Sequence, residues 1–395
     1  MMLRIGVVGY GLRISTFVKS CLREVQPDIR ISGIVDTNEE VALSRLAECD
    51  QRDTKFYKDL QEMVINCKLD AILIGTSCNM HTPYAIEASK YDIPIFLEKP
   101  VAVSMKQALE LEEAFENAKC EVLVSFPLRV SPLCQETWKF IQNDSIGHPE
   151  HIDAVNYVPY GTVYWDIATY RNFAITQGLF LQKATHDFDY MAYLMKSKIV
   201  RVGAMWNRGR IFGGKRPSGL RCSKCEETAC CLESPQNRKK NGSGWTTEDH
   251  ECVFNVDCGS PEQGMNEDCS SAIVEFASGA HGVYSQIFFS RRDAAKRGAV
   301  ISGYHGTLSF DWYKNEARLV RHHAPFSDVI SADSNLAHFG GDQELARNFI
   351  AMVQGKERPK ATIWEGIQSV YTCLAAKESA EKGNFIKVRQ VGEMR

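Results

Sequence analysis

The sequence has no run of about 18 apolar residues, the length that a membrane-spanning helix requires. Its beginning, "MMLRIGVVGYG", has neither the hydrophobic region nor the cleavage site of a secretory signal peptide. A basic excess is also missing, because 46 Lys and Arg stand against 49 Asp and Glu, for a formal net charge of −3. We therefore expect a cytoplasmic protein that binds no membrane and no nucleic acid and acts on a small-molecule ligand.

Internal repeats and low-complexity tracts are also lacking. With 44% hydrophobic and 24% charged residues, the composition is that of an ordinary globular protein. A chain of 395 residues is long enough for two or three domains. Fourteen cysteines without a secretory signal indicate reduced thiols rather than a disulfide framework.

The first 125 residues alternate short apolar runs with longer segments of helical spacing. The runs are "LRIGVVG", "RISGIVD", "AILIGTS", "IPIFLEK" and "CEVLVSF". Alternation of this kind is typical of βαβ units, in which helices cover both faces of a parallel sheet. We therefore predict an α/β domain of the Rossmann type over residues 1–125.

The pattern changes from about residue 150. Aromatic and β-branched runs with glycine-containing turns, such as "SAIVEFASGAHGVYSQIFF", predict a largely antiparallel sheet. This sheet is assigned to a second domain, residues 126–395. Residues 207–270 are rich in Gly, Pro, Cys and charge, and we predict that they form an insertion on the second domain.

A glycine turn follows the first predicted strand in "GVVGYGLRI". Gly9 and Gly11 allow a tight turn through which a pyrophosphate approaches the N–H groups at the start of a helix. The turn residues Gly9, Tyr10, Gly11 and Leu12 are therefore predicted to bind a dinucleotide. The third position of this fingerprint, normally Gly or Ala, is Ile14.

An acidic residue ends the second predicted strand, "GIVD". Asp36 thus lies where a carboxylate accepts hydrogen bonds from the ribose hydroxyls of adenosine. Its charge repels a 2′-phosphate, so we predict NAD rather than NADP as the cofactor. The alternative is that Asp36 is a solvated turn residue.

A second motif, "IFLEKP", places Glu98, Lys99 and Pro100 at the end of a strand. Open parallel sheets bind their ligands at this edge. Pro100 favours an extended conformation for Lys99. Pointing into a cleft, the Lys99 ammonium is predicted to bind a substrate hydroxyl and lower the pKa of that hydroxyl.

The glycine turn, the segment "TSCNMHTPYAIEA" from Thr76, the "EKP" motif and "FPLRVSP" at 126–132 together resemble the Gfo/Idh/MocA family of glucose/fructose oxidoreductases and inositol dehydrogenases. The resemblance covers nearly the whole chain. It implies a Rossmann domain joined to a large, open, mostly antiparallel sheet, a homo-oligomer, and hydride transfer between a nicotinamide cofactor and a hydroxyl of a sugar, polyol or glycoside. The residues it implies at the cofactor are Thr76, Asn79, His81, Glu98 and Lys99, with Arg129 at the cofactor or the domain interface.

The segment "QGLFLQKATHDFDY", residues 177–190, carries several charged groups in an otherwise apolar helix. Many members of the family have an Asp four residues before the His that corresponds to His186, and here Gln182 takes that position. Lys183 and His186 are three residues apart and share one helix face. We therefore expect this helix to face the core on one side and the substrate on the other.

Removal of hydride from an alcohol carbon requires a base for the O–H proton, and a histidine near neutral pH suits this task. We predict that His186 is the base, that Lys99 and Lys183 stabilise the alkoxide, and that Asp189 orients the imidazole. A structural histidine and a solvated lysine are the alternatives.

Three functions remain open from the sequence. The first is an NAD-dependent dehydrogenase that acts on a carbohydrate hydroxyl. The second is a glycosidase that oxidises a hydroxyl transiently, eliminates the glycosidic bond and returns the hydride. The third is a nucleotide-binding sensor without catalysis. Net NADH production separates the first from the others, and release of an aglycone separates the second from the third.

Seven of the fourteen cysteines lie between Cys222 and Cys269. Cys222 and Cys225 form a CxxC pair, and together with Cys230 they are candidate ligands of a structural zinc ion. Free thiols, or an iron–sulfur or disulfide arrangement, are the alternatives. Zinc would order an insertion that otherwise lacks a regular apolar pattern.

Overall fold

The computed structural model describes residues 2–242, 248–259, 264–332 and 337–394. The chain forms two compact units, of which the first comprises Met1–Pro132, Asn335–Tyr371 and Val391–Arg395, and the second Leu133–Ser334 and Thr372–Gln390. The predicted domain boundary between residues 125 and 126 differs from this division, because the later segment Asn335–Tyr371 also belongs to the first unit. There, the backbone N–H of Val124 donates to the carbonyl of Ala361 at 2.8 Å.

A six-stranded parallel sheet forms the centre of the first unit, in the strand order β3-β2-β1-β4-β5-β6. The alternation of apolar runs and helices predicted this α/β arrangement, which is confirmed. Most residues of the central strands are buried, as expected of a sheet covered on both faces. The strands are β1 Arg4–Val8, β2 Arg30–Val35, β3 Lys55–Phe56, β4 Ala71–Ile74, β5 Ile95–Leu97 and β6 Val122–Val124.

A nine-stranded sheet dominates the second unit, in the order β14-β13-β12-β11-β7-β10-β9-β8-β15. Only β7 and β10 pair in parallel among these neighbours, so the prediction of a largely antiparallel sheet is confirmed. The strands are β7 His151–Tyr157, β8 Ile199–Arg208, β9 Glu267–Phe276, β10 His281–Ile287, β11 Lys296–Ser302, β12 Gly306–Asp311, β13 Glu316–Arg321, β14 Ser327–Ser331 and β15 Ile386–Lys387.

Helices surround the first sheet and cover one face of the second. Within the described parts of the chain, none is long and apolar enough to cross a membrane. The helices are α1 Leu12–Phe17, α2 Arg23–Val25, α3 Glu39–Ser44, α4 Glu48–Gln51, α5 Leu60–Asn66, α6 His81–Ala88, α7 Met105–Glu116, α8 Pro127–Val130, α9 Pro132–Gln142, α10 Val163–Asp166, α11 Ala168–Arg171, α12 Phe173–Thr176, α13 Leu179–Gln182, α14 Thr185–Leu194, α15 Pro235–Asn241, α16 Gly341–Val353 and α17 Ile363–Lys382.

Local capping signals set where several helices of the first unit begin. The side chains of Asn38, Asp59 and Ser104 each accept a hydrogen bond from a backbone N–H three residues later. Such caps satisfy N–H groups that have no partner within the helix. The helices therefore begin at fixed points after the strands, and the turns at the carboxyl edge of the sheet are short.

Aromatic side chains form the core contacts of the two units. In the first unit, Phe17 stacks on Phe96 with ring centroids 4.5 Å apart, and Phe349 meets Phe96 edge-on at 5.5 Å. In the second unit, Phe188 of α14 lies 5.2 Å from Tyr284 of β10. The apolar face of α14 is therefore buried on the nine-stranded sheet, as its sequence predicted.

The predicted insertion, residues 207–270, packs against the second unit through its own apolar residues; residues 243–247 and 260–263 lie outside the described part. Phe212, Val253 and Cys258 belong to the buried cluster that also contains Trp165 and Phe288. The ring centroids of Trp165 and Phe212 are 4.4 Å apart. Apolar burial therefore anchors this segment.

A buried ionic network also anchors the insertion. The guanidinium of Arg238 is fully buried and donates to Asp166 of α10 at 2.7 Å and to Glu233 at 3.1 Å. Arg291 donates to the second oxygen of Glu233 at 2.7 Å. Buried charges are stable only when they are paired, so these contacts fix the position of α15 relative to α10.

Candidate functional site

The glycine turn of the first unit has the geometry that its motif predicts. Gly9 has a φ of +80°, and a Cβ there would lie 2.7 Å from the backbone nitrogen of Thr76. Its N–H donates to the carbonyl of Val35 at 2.8 Å. By contrast, a Cβ at Gly11 would have no atom within 4 Å. The space in front of Gly11, at the start of α1, is thus open to a ligand.

Ile14 is accommodated by a glycine on the neighbouring loop. It is fully buried, and a Cβ on Gly75, directly after β4, would lie 2.1 Å from Cγ1 of Ile14. In the usual fingerprint the third position is small so that the helix can approach the sheet. Here the small residue is on the sheet side, which explains how the motif tolerates Ile14.

Asp36 closes the glycine turn. Its two carboxylate oxygens accept hydrogen bonds from the N–H groups of Tyr10, at 2.8 Å, and Asn38, at 2.9 Å. The Tyr10 ring is buried, and burial raises the pKa of its hydroxyl to about 12. Each carboxylate oxygen has a further lone pair, so the half-buried Asp36 can still accept from ribose hydroxyls.

His81 joins the two loops that follow β4 and β5. Its ring nitrogens lie 2.8 Å from the carbonyl oxygen of Pro100 and 3.0 Å from that of Thr76. Burial lowers the pKa of His81, although both carbonyl contacts act in the opposite direction. The His81 ring thus contacts both loops and positions them.

Asn79 and Thr76 lie half-buried on the loop after β4. The hydroxyl of Ser77 donates to the side-chain oxygen of Asn79 at 2.9 Å, and the amide of Gln107 donates to the backbone oxygen of Asn79 at 2.8 Å. These bonds fix the loop beside the glycine turn. The structure thus brings together the predicted cofactor residues of both loops.

Glu98 and Lys99 follow β5 at the same edge of the sheet. Glu98 is buried and accepts from Nε of Arg13 at 2.8 Å, while half-buried Lys99 donates its backbone N–H to Glu98 at 3.3 Å. Burial raises the pKa of the Cys78 thiol to about 11, with the Lys99 charge acting in the opposite direction. The Lys99 ammonium therefore lies close to the loop after β4.

Arg13 is a residue of this site that sequence reasoning missed. Its terminal nitrogens form a two-bond pair with Asp342 of α16, both at 2.7 Å. His338 also contacts Asp342 at 2.9 Å. Burial would raise the pKa of Asp342, but the charges of Arg13 and His338 hold it well below its usual range. Arg13 thereby links α1, the turn after β5 and α16.

Arg129 lies in α8 and is buried. Its guanidinium donates to the side chain of Glu365 and, at 3.2 Å, to the carbonyl of Lys360. Although burial would raise the pKa of Glu365, the Arg129 charge holds it below its ordinary value. These contacts are internal to the first unit, and the place of Arg129 at the cofactor or the domain interface stays a prediction.

The segment that carries Lys183 and His186 is not the single helix that we expected, because α13 ends at Gln182 and α14 begins at Thr185. It is fixed at its beginning. Gly178 has a φ of +96°, and the N–H of Leu179 at the start of α13 donates to the buried carboxylate of Glu267. A Cβ on Gly178 would lie 2.7 Å from that carboxylate. Gly178 therefore serves both the left-handed backbone and the close approach of Glu267.

Lys183 is buried and its ammonium donates to the hydroxyl of Tyr160 at 2.9 Å. The same ammonium lies 5.2 Å from the ring centroid of Tyr160 and 6.0 Å from that of Tyr164. Burial would raise the pKa of Tyr160, but Lys183 and Arg297 outweigh it and the pKa is lowered. The only sequence signal for Tyr160 was its aromatic surroundings, "NYVPYGTVYW".

Asp187 and His186 differ in their surroundings. Asp187 accepts two hydrogen bonds from Arg297 of β11, at 3.0 and 2.9 Å, and further bonds from Asn156 and Tyr284. It therefore anchors α14 to the sheet. His186 is buried on the same helix, next to this anchor. Asp189, which we expected to orient the imidazole, is buried as well.

The predicted zinc site is not supported. Among the residues that the structure describes, no group of three or more His, Cys, Asp or Glu side chains is arranged to hold a metal ion. The Cys230 thiol is exposed and donates to the carbonyl of Glu227 at 3.4 Å. Apolar packing and ion pairs order this segment instead.

Family models match both parts of the chain. The model described as an oxidoreductase family with an NAD-binding Rossmann fold matches residues 3–126. The model of the GFO/IDH/MocA C-terminal domain matches residues 134–309. The two matches together cover more than half of the chain; the first contains all strands of the parallel sheet, and the second contains β7 to β11 of the nine-stranded sheet.

Two inositol dehydrogenases among the curated relatives each match about half of the chain. Myo-inositol 2-dehydrogenase from Thermotoga maritima is 27% identical over 204 residues, 51% of this chain and 58% of that protein. Inositol 2-dehydrogenase 1 from Saccharopolyspora erythraea is 25% identical over 204 residues, 51% of this chain and 57% of that protein. The chain thus spans little more than half the length of these relatives.

Solved structures match nearly the whole chain. Levoglucosan dehydrogenase in complex with NADH and levoglucosan superposes with a TM-score of 0.76 at 16% identity, covering 98% of this chain and 100% of that one. An NAD binding oxidoreductase from Klebsiella pneumoniae gives 0.75 at 18% identity, covering 99% and 100%. At these identities the likeness establishes the fold.

The contact between Ile14 and Gly75 can be tested by a double-mutant cycle. Gly75→Ala should lower the free energy of unfolding by about 1 to 3 kcal/mol, because the new methyl group meets Ile14. Ile14→Ala makes room for that methyl group, so the double variant should be less destabilised than the sum of both single variants by about 0.5 to 3 kcal/mol. Chemical denaturation measures all four proteins, and strictly additive effects would contradict the pairing.

Proposed function

Because the chain belongs to the Gfo/Idh/MocA oxidoreductase family, we propose that it transfers hydride between NAD and a hydroxyl or keto group of a sugar, polyol or glycoside. The observation that carries the proposal is the edge of the parallel sheet, where the open turn at Gly11 follows β1, the carboxylate of Asp36 follows β2 and Lys99 follows β5. These groups suit the pyrophosphate, the ribose and the reacting end of a dinucleotide.

The residues of the first unit fit this cofactor. Gly9 permits the tight turn, Gly11 leaves space for a pyrophosphate at the start of α1, and Asp36 is held by two backbone N–H groups at the end of β2. The nicotinamide of NAD supplies the hydride chemistry. Thr76 and Asn79 are proposed to line the nicotinamide side of the cofactor site, while His81 holds their loop in place.

The residues of the second unit supply the proton chemistry in this proposal. When hydride leaves the alcohol carbon, the O–H proton passes to His186 and a carbonyl group forms. Lys99 stabilises the negative charge that develops on the oxygen. Asp187 is occupied by Arg297, so it keeps α14 in place rather than exchanging protons.

A carbohydrate substrate is supported by the aromatic side chains around Lys183. Tyr160 and Tyr164 surround its ammonium, which offers both apolar ring faces and hydrogen-bonding groups to a sugar. The names of the relatives, myo-inositol 2-dehydrogenase and levoglucosan dehydrogenase, indicate the same class of substrate. We propose a neutral cyclic polyol or sugar on this basis.

The open face of the nine-stranded sheet supports the proposal of a homo-oligomer. Met205, Ile273 and Val329 are 78%, 50% and 57% exposed on their strands. Exposed apolar side chains on one sheet face are typical of an interface. Light scattering of the purified protein tests the proposal, and a monomer at micromolar concentration would contradict it.

A cytoplasmic location stays a proposal that rests on the cysteine content.

The proposed activity can be measured with a panel of neutral carbohydrates. We expect myo-inositol, levoglucosan or a related sugar to yield NADH, and His186→Ala to lower turnover by about 10²- to 10⁴-fold, the usual contribution of a positioned base. The affinity for NAD should barely change. Normal turnover of His186→Ala would exclude His186 as the base. Aglycone release from p-nitrophenyl glycosides without net NADH would favour the redox-neutral glycosidase instead.

Cofactor preference tests the role of Asp36. The wild-type protein should bind NAD more tightly than NADP, because the carboxylate repels a 2′-phosphate. Asp36→Asn keeps an oxygen for the N–H of Tyr10 but removes the charge, so the NADP affinity should rise about tenfold at low salt, the equivalent of 1.4 kcal/mol. Titration calorimetry with both cofactors measures this. An unchanged preference would show that the carboxylate does not discriminate between them.

A further inference from the structure

We propose that Tyr160 is a further catalytic residue, whose hydroxyl donates a hydrogen bond to the alkoxide that develops on the substrate while Lys183 donates to the Tyr160 oxygen. The inference rests on the proposed hydride transfer and adds a group that the sequence motifs did not contain. It also gives Lys183 a different task, since Lys183 acts on the substrate through Tyr160.

The direction of the Lys183–Tyr160 hydrogen bond supports this role. An ammonium group has donors only, so the Tyr160 oxygen is the acceptor at 2.9 Å. The proton of the tyrosine hydroxyl must then point to a different group. Lys183 is buried, with its ammonium also over the rings of Tyr160 and Tyr164, and its position is therefore well defined.

The position of Tyr160 in the fold is equally defined. It follows β7, a central strand of the nine-stranded sheet, by three residues and precedes α10. The neighbouring strand β11 carries Arg297, which is paired with Asp187 of α14. The hydroxyl of half-buried Tyr160 therefore lies near two cations, Arg297 on β11 and Lys183, which directly follows α13.

The electrostatics make this hydroxyl a stronger donor than an ordinary tyrosine. Burial raises the pKa of Tyr160, whereas the charges of Lys183 and Arg297 lower it and prevail over burial and the opposing charge of Asp187. A more acidic hydroxyl donates a stronger hydrogen bond to an anion, and the bond from Lys183 polarises it further. Preorganised donors of this kind stabilise oxyanions.

The proton balance assigns each group one task. The substrate O–H proton passes to His186, hydride leaves the same carbon for the nicotinamide, and Tyr160 and Lys183 keep their own protons throughout. In the reverse direction, Tyr160 donates to the carbonyl oxygen as charge develops on it. Tyr160 must be protonated to donate, so activity should be lost as the pH rises through its pKa.

Kinetics of Tyr160→Phe test the proposal, because this change removes the hydroxyl and keeps the ring. With a sugar that the wild-type protein oxidises, kcat should fall about 10²- to 10³-fold, the usual effect of removing one oxyanion donor, while KM for NAD changes by less than about twofold. The matched control is Tyr304→Phe, a tyrosine of the same unit that is 74% exposed, which should keep full activity.

The pH profile separates a catalytic from a structural role. Lys183→Met removes a cation that lowers the pKa of Tyr160, so the alkaline limb of kcat should move to higher pH. Tyr160→Phe should lack that limb. Loss of stability alone would lower the activity of either variant without moving the limb, and unfolding midpoints measured alongside identify this case.

A spectrophotometric titration needs no substrate. Subtracting the tyrosinate spectrum of Tyr160→Phe from that of the wild-type protein should leave one phenol that ionises below the ordinary tyrosine pKa of about 10, and Lys183→Met should raise its pKa. Two results would overturn the proposal. The first is a pKa of about 10 or higher for the phenol in the difference spectrum, and the second is a near-normal kcat of Tyr160→Phe. If His186→Ala is inactive at the same time, the proposed function stands and only the role of Tyr160 fails.

Discussion

The guanidinium of Arg13 joins three segments of the first unit that lie far apart in the sequence. It pairs with Glu98 beside Lys99 and with Asp342 at the start of α16. Both carboxylates are buried, and buried charges that lose their partner are strongly destabilising. The turn that carries Lys99 therefore keeps its place only while Arg13 bridges it to α16, and the cofactor edge depends on this bridge.

A second ion pair has the same function in the second unit. Arg297 holds Asp187 with two hydrogen bonds, so α14 is fixed on the nine-stranded sheet. Within that frame the ammonium of Lys183, between α13 and α14, contacts Tyr160, and His186 lies on α14. Paired buried charges thus hold α16 and α14 in place within their units.

The sequence predicted the local features well. Gly9, Asp36 and the turn at Lys99 could be found because each follows an apolar strand at a fixed spacing, and both sheets followed from the periodicity of their strands. It could not predict Arg13, whose partner Asp342 is 329 positions away, or the pairing of Asp187 with Arg297. Only the folded chain brings such partners together. The zinc prediction is not supported by the residues that the structure describes, and cysteine spacing alone did not reveal the apolar and ionic contacts of the insertion.

The crystal structure of the protein with NAD tests the central claim most directly, namely that the edge of the parallel sheet is a dinucleotide site. We expect the pyrophosphate at the N–H groups of the Gly9–Gly11 turn, the ribose hydroxyls of adenosine on Asp36, and the nicotinamide beside Lys99. A dinucleotide bound away from the glycine turn, or a ribose without contact to Asp36, would contradict the account.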